Sequence, residues 1–248
     1  MSVYVTGDTH GGFQRFGMKY FPEQEKMNRE DTVIIAGDFG GLWGGTPAER
    51  YWLDWLEDKP FTTAFLDGNH ENFAMLNALP ERLWHGGRIH EVRPHVLHLM
   101  RGQVFDIEGY TFFTMGGASS HDIQDGILDP KEPGFEERYW RMRRARAMFR
   151  VKGVSWWPEE LPSDEEYEKA RKNLDTHDWA VDYILTHCAP TSITQKIIPH
   201  AQADQLTDFL EEIKIRARYH YWLFGHLHDN KAVDNKHILL WEQIVQVI

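Results

Sequence analysis

Residues 62–71 read Thr62-Thr-Ala-Phe-Leu-Asp-Gly-Asn-His-Glu71. The first five residues form an apolar, β-prone run of the length of a buried strand. At Asp67-Gly68 the run stops, and an amide, an imidazole and a carboxylate follow in Asn69, His70 and Glu71. Such groups are poor strand formers and are costly to bury without partners. Their place directly after a strand calls for something that binds them.

The same design recurs along the chain. Val3-Tyr-Val5 runs into Thr6-Gly-Asp-Thr-His-Gly-Gly12, and Thr32-Val-Ile-Ile-Ala36 into Gly37-Asp-Phe-Gly-Gly41. Val181-Asp-Tyr-Ile-Leu185 leads to Thr186-His-Cys-Ala-Pro190, and Tyr219-His-Tyr-Trp-Leu-Phe224 to Gly225-His-Leu-His228. Each is a short apolar run closed by turn residues. Helical segments separate some of them. Thr46-Pro47 supplies an N-cap and a proline at the first helical position, and Ser163-Asp-Glu-Glu166 is a capping box for a helix reaching about His177. Residues 71–78 and 203–217 read as further helices. Residues 96–100, 103–107 and 110–114 read as a meander joined by Arg101-Gly102 and Glu108-Gly109 turns. Residues 231–248 read as antiparallel strands around Asp234-Asn-Lys236. Parallel-type units at both ends with hairpins between them predict an α/β (α+β) fold with two mixed sheets covered by helices.

The chain has 248 residues, 42% of them hydrophobic, with ten Trp. That suits one domain with a sizeable core. The net charge of −11 opposes broad binding to a phosphate backbone, so no extended nucleic-acid surface is expected. It leaves room for a small phosphate held by local cations. The one cysteine, Cys188, excludes an intrachain disulfide and fits a reducing compartment. Met1-Ser-Val-Tyr-Val-Thr begins as a strand without the features of a signal peptide, and no apolar run is long enough to span a membrane. These features predict a cytoplasmic protein.

Ligands of open α/β sheets gather beyond the carboxyl ends of the strands. All five polar clusters stand at such ends, which brings Asp8, His10, Asp38, Asn69, His70, His187, His226 and His228 toward one point. Unpaired, this set would be badly desolvated and mutually repulsive. Two divalent cations resolve it. Carboxylates, an amide oxygen and imidazoles without a thiolate suit Mn, Fe, Zn or Ni.

In order and spacing, Asp8-x-His10, Gly37-Asp38-x-x-Gly41, Gly68-Asn69-His70-Glu71, His187 after a strand and Gly225-His226-x-His228 resemble the calcineurin-like metallophosphoesterases. The resemblance implies a four-layer αββα sandwich, two mixed β-sheets flanked by helices. It implies that Asp8, His10 and His228 hold one metal, that Asn69, His187 and His226 hold the other, and that Asp38 bridges them. Hydroxide between the metals would attack phosphorus. His70 would be catalytic without being a ligand, protonating the leaving oxygen or steadying the phosphoryl charge, with Asp67 or Glu71 orienting it. The family's protein-phosphatase branch has an Asp-Arg pair where Gly40-Gly41 stands, which weakens a phosphoprotein reading.

The expectation is therefore a hydrolase of small or nucleotide-like phosphomonoesters or phosphodiesters, with a phosphoprotein phosphatase, a nuclease or a non-catalytic scaffold as rivals. The remaining histidines, His121 among them, read as ordinary core or surface residues, and Cys188 as a small buried thiol. The glycine-rich stretch 116–120 reads equally as a phosphate cradle of backbone N–H groups or as a plain turn. Residues 118–162 read as a lid or insertion over the active site. The arginines within 135–150 are a solvated helix face paired with carboxylates, or else part of that lid, with Trp156-Trp157 stacking on a ring. On the lid reading Arg150 takes a substrate phosphate; Arg15 is a further substrate-binding candidate.

Overall fold

A computed structural model describes all 248 residues. The chain enters through β1 (Val3–Thr6), β2 (Thr32–Ile35), helix α1 (Pro47–Glu57), β3 (Thr62–Phe65) and the single turn α2 (Phe73–Leu76). Next come β4 (Glu81–Trp84), β5 (Gly87–Arg93), β6 (Val96–Leu99), β7 (Gln103–Ile107) and β8 (Tyr110–Met115). They are followed by β9 (Gly126–Leu128), α3 (Phe135–Ala145), β10 (Phe149–Val151) and α4 (Asp164–Thr176). The last part holds β11 (Tyr183–Thr186), α5 (Thr191–Ile197), α6 (Gln205–Arg216), β12 (Tyr221–Phe224), β13 (Lys231–Ala232), β14 (His237–Leu239) and β15 (Ile244–Gln246).

Two large mixed sheets result. One has the order β15-β1-β2-β3-β6-β5-β4, the other β13-β14-β12-β11-β8-β7. In β2, Ile34 faces the second sheet while Val33 and Ile35 face the outer helices, so alternation along a strand feeds two cores at once. Between the sheets, Val5, Ile34 and Ala64 meet Phe105, Phe112 and Leu185. Outside the first sheet, Val33, Ile35 and Phe65 pack with Leu53 and Leu56 of α1. Outside the second, Ile184 and Trp222 pack with Leu174 of α4 and Leu210 and Ile213 of α6. This is the expected helix–sheet–sheet–helix sandwich.

Helix α1 starts where Thr46-Pro47 places it. Thr46 Oγ1 accepts from the Glu49 N–H at 3.2 Å, and the Glu49 carboxylate accepts in return. The box at Ser163 starts α4 in the same way. No helix is long and apolar enough to cross a membrane.

The expected meander over residues 96–114 is corrected. Strand β6 pairs with β3 and β5 in the first sheet, whereas β7 and β8 form a hairpin in the second. The chain changes sheets at Arg101-Gly102, where Gly102 has a left-handed backbone. The hairpin β4–β5 escapes sequence reading because β4 is largely exposed and carries Glu81 and Arg82. Of the C-terminal strands, β13 and β14 are antiparallel as expected. Strand β14, however, runs parallel to β12, and β15 crosses to pair with β1. Residues 126–151 form a small unit of their own, with β9 and β10 parallel and α3 between them.

Candidate metal centre

The strand-end loops bend sharply. His10, Asp38, His226 and His228 all have left-handed backbones, with φ between 45° and 70°. Side-chain-bearing residues rarely adopt that region, and each such residue costs of order 1–3 kcal/mol. Two glycines let the loops close. A Cβ on Gly68 would lie 2.0 Å from Asp38 Oδ1, and one on Gly225 would lie 2.2 Å from Asp8 Oδ1.

Asp8 is buried, and its Oδ1 accepts from the His226 backbone N–H at 2.9 Å. Its Oδ2 is also buried yet makes no hydrogen bond. His228 Nε2 stands 3.0 Å from that oxygen and His10 Nε2 3.8 Å. The two ring nitrogens are themselves 2.9 Å apart. Three ligand-type atoms thus face a shared point.

A second group adjoins it. Buried Asp38 accepts the His70 backbone N–H on Oδ1 at 2.8 Å. His187, fully buried, donates Nδ1–H to the Ala36 carbonyl at 2.8 Å. Its Nε2 then faces Asn69 Oδ1 at 3.3 Å and Asp38 Oδ1 at 3.5 Å. A neutral ring would present a lone pair to two acceptor oxygens, so this pocket draws positive charge. Burial opposes protonation of His187, but Asp38 and Asp8 outweigh it and push the ring up to about 10. Burial likewise opposes ionisation of Asp38; His187, His70 and His10 more than compensate and hold it well below the usual carboxylate range. Ligand-type atoms of Asp8, His10 and His228 lie within 4.8 Å of one another, as do those of Asp8, Asp38 and His187. The orphaned Oδ2 and this all-oxygen-and-nitrogen donor set fit divalent cations.

His226 lies beside His187, with ring centroids 4.9 Å apart, but its Nε2 faces His121 Nε2 at 2.8 Å. Burial, then His187 and His121, push its pKa well below the ordinary value. His121 is an exposed residue of the 118–162 segment that no strand-end motif marks. Ser120, next to it, bonds Asn69 through Nδ2 at 3.3 Å and the buried Glu160 at 2.6 Å. In the stretch 116–120 three of the five amides are occupied: Gly117 and Ala118 donate to the Asp67 and Glu160 carbonyls, and Ser120 N–H to the Glu160 carboxylate.

The partly buried His70 ring lies 5.6 Å from the His10 ring. Its Nδ1 is 3.3 Å from Arg150 Nη2, and Arg150 is ion-paired with Asp122. Burial and the Arg150 charge lower the His70 pKa against the pull of Asp38.

Three expectations are corrected. Asp67 does not orient His70, because it is held by Arg101 Nη2 at 2.6 Å and His98 Nε2 at 3.1 Å. Neither does Glu71, which accepts the Phe39 N–H at 2.8 Å. Arg15 is not free for substrate: its guanidinium donates to Thr6 Oγ1 and to the carbonyls of Gly7, Asp8 and Trp241, bracing the first loop from behind. The stacking role for Trp157 also fails, since its ring is buried edge-on against Trp43.

A profile of the calcineurin-like phosphoesterase family matches residues 1–230. The lariat debranching enzyme of Schizosaccharomyces pombe is 22% identical over 255 aligned positions, covering 92% of this chain and 48% of that protein. The chain thus spans about half the length of the curated relative it matches. The match takes in all five motifs, whose residues the sheets gather at one edge, and the chain belongs to the family of calcineurin-like phosphoesterases.

Proposed function

We propose that this protein hydrolyses a small or nucleotide-like phosphomonoester or phosphodiester at a two-metal centre. One observation carries the reading: the buried Asp8 Oδ2 has no hydrogen bond and faces two imidazole nitrogens in a phosphoesterase fold. Asp8, His10 and His228 would hold one cation, and Asn69, His187 and His226 the other, with Asp38 between them. Bound divalent cations neutralise phosphoryl oxygens and bring the pKa of water toward about 7.

The chain's own groups do the rest. Arg150 donates toward His70 Nδ1, which leaves the proton on Nε2. His70 then offers an Nε2–H to a phosphoryl or leaving oxygen, a neutral donor aimed by Arg150 rather than by a carboxylate. Ser120 and Glu160 fix the Asn69 amide so that its oxygen points inward beside His187. Residues 118–162, through His121, Asp122 and Arg150, would form a wall or lid over the reacting phosphate.

A phosphoprotein phosphatase or nuclease is the alternative. The related enzyme is named for debranching lariats, which favours a diester, whereas the net charge of −11 disfavours a long polyanion. The single buried Cys188 is in keeping with a cytoplasmic setting. A screen of mono- and diesters with Mn, Fe, Zn, Ni and Mg tests the reading. Turnover of a small ester with at least one metal is expected, and none with any metal would refute it.

A further inference from the structure

A cavity of about 720 Å³ adjoins the metal centre without belonging to it. Its walls include Tyr139, Arg143, Arg146, Phe149, Arg150 and Asp122. Arg150 belongs to both spaces, since the guanidinium that faces His70 also borders this cavity. Asp122 is neutralised by Arg150, Arg138 is taken by Glu132, and Lys152 by Asp129. Arg143 and Arg146 have no carboxylate partner. Arg141 and Arg144 are unpaired as well but do not line the cavity, so the expectation that the arginines of this segment are paired off holds only for Arg138 and Arg150.

Basic groups near a helix C-terminus favour the helix dipole. Arg144 on the same turn meets that need from outside the cavity, so the dipole does not explain why two more arginines converge on a concave surface. Arg146 reaches it from a left-handed residue just past the end of α3. The floor is aromatic: Arg143 stands 5.9 Å from the centroid of the Tyr139 ring, and Tyr139 meets Phe149 edge-on at 5.7 Å. Two guanidiniums without carboxylate partners, one of them against an aromatic ring, next to the reacting site of an acidic protein, are an arrangement that captures an anion on an organic group.

We propose that this cavity is a second phosphate subsite, which makes the substrate an organic bisphosphate. One phosphoryl group reacts beside His70, and the other is held by Arg143 and Arg146. The inference rests on the phosphoesterase reading above and adds to it the class of substrate.

Calorimetry on the full, manganese-supplemented protein tests it with adenosine 3′,5′-bisphosphate, adenosine 5′-monophosphate and fructose 1,6-bisphosphate. The adenosine bisphosphate is expected to bind about 10- to 100-fold more tightly than the monophosphate, the scale of one or two charge-assisted hydrogen bonds. R143Q/R146Q, at exposed positions without carboxylate partners, is expected to bring that ratio to about one. R138Q, on the same helix outside the cavity, is expected to preserve it. Equal affinities in the wild type, a preference that survives R143Q/R146Q, or one that is lost in R138Q as well would each overturn the subsite. An equal gain with fructose 1,6-bisphosphate supports a site that reads phosphate alone; a gain confined to the adenosine compound supports a contribution from the aromatic floor. Failure of the hydrolase reading would look different: no ester turned over with any metal while the binding preference persists.

Discussion

Asp8→Asn tests whether the strand-end constellation holds metal. Asn has nearly the volume of Asp and keeps the oxygen that accepts the His226 N–H, so the loop geometry is retained. What it removes is the charge and the oxygen that makes no hydrogen bond. A cation that binds only the folded protein, at about 100 times its Kd, stabilises it by about 2.7 kcal/mol. For a chain of this length each kcal/mol moves Tm by about 2–4 °C, so wild type should gain about 5–11 °C. Asp8 takes part in both ligand groups, so its loss is set at about 100-fold in affinity, the upper end of the effect of removing mere supporting partners. At the same metal concentration, the variant then retains about 0.4 kcal/mol, or about 1–2 °C. Scanning fluorimetry of each protein with chelator and with manganese reads the rise against that protein's own metal-free state, so any change in intrinsic stability cancels. An Asp8→Asn variant whose metal-induced rise equals that of wild type would refute the assignment of these side chains as ligands.

His70→Ala is expected to keep metal content, measured by elemental analysis, while turnover of an activated ester falls by roughly 10²–10⁴. Arg101→Met strands the buried Asp67 carboxylate and is expected to cost about 3–5 kcal/mol in denaturant titrations at neutral pH. Burial alone would raise the Asp67 pKa, but Arg101 and His98 hold it below the ordinary value. A depressed folded pKa contributes stability above the unfolded carboxylate range and loses it on acidification, so the gap between wild type and R101M should narrow from about pH 5 downward. A gap that widens in acid would contradict the pairing. Burial pushes the Cys188 thiol far up, so it is expected to resist a disulfide reagent at pH 8 and to react with one equivalent once guanidinium unfolds the chain.

The sequence by itself determined the strands that end in Asp8, Asp38, Asn69, His187 and His226, because each signal is local: an apolar run, then a glycine, then a group too polar to bury alone. It also determined the capped starts of α1 and α4, whose hydrogen bonds span three residues. Tertiary structure decided what depends on distant partners. The run at 96–99 and the hairpin at 103–115 look alike in composition, yet they lie in different sheets. Arg15 resembles a substrate ligand until four backbone and side-chain acceptors close around it, and Asp67 looks aimed at His70 until Arg101 and His98 claim it. His121 carries no motif, and its contact with His226, more than a hundred residues away, exists only in the folded chain. Hydrophobic periodicity is written along a strand, whereas the partner of a buried charge is chosen by whichever opposite charge or dipole the finished packing leaves within about 3 Å.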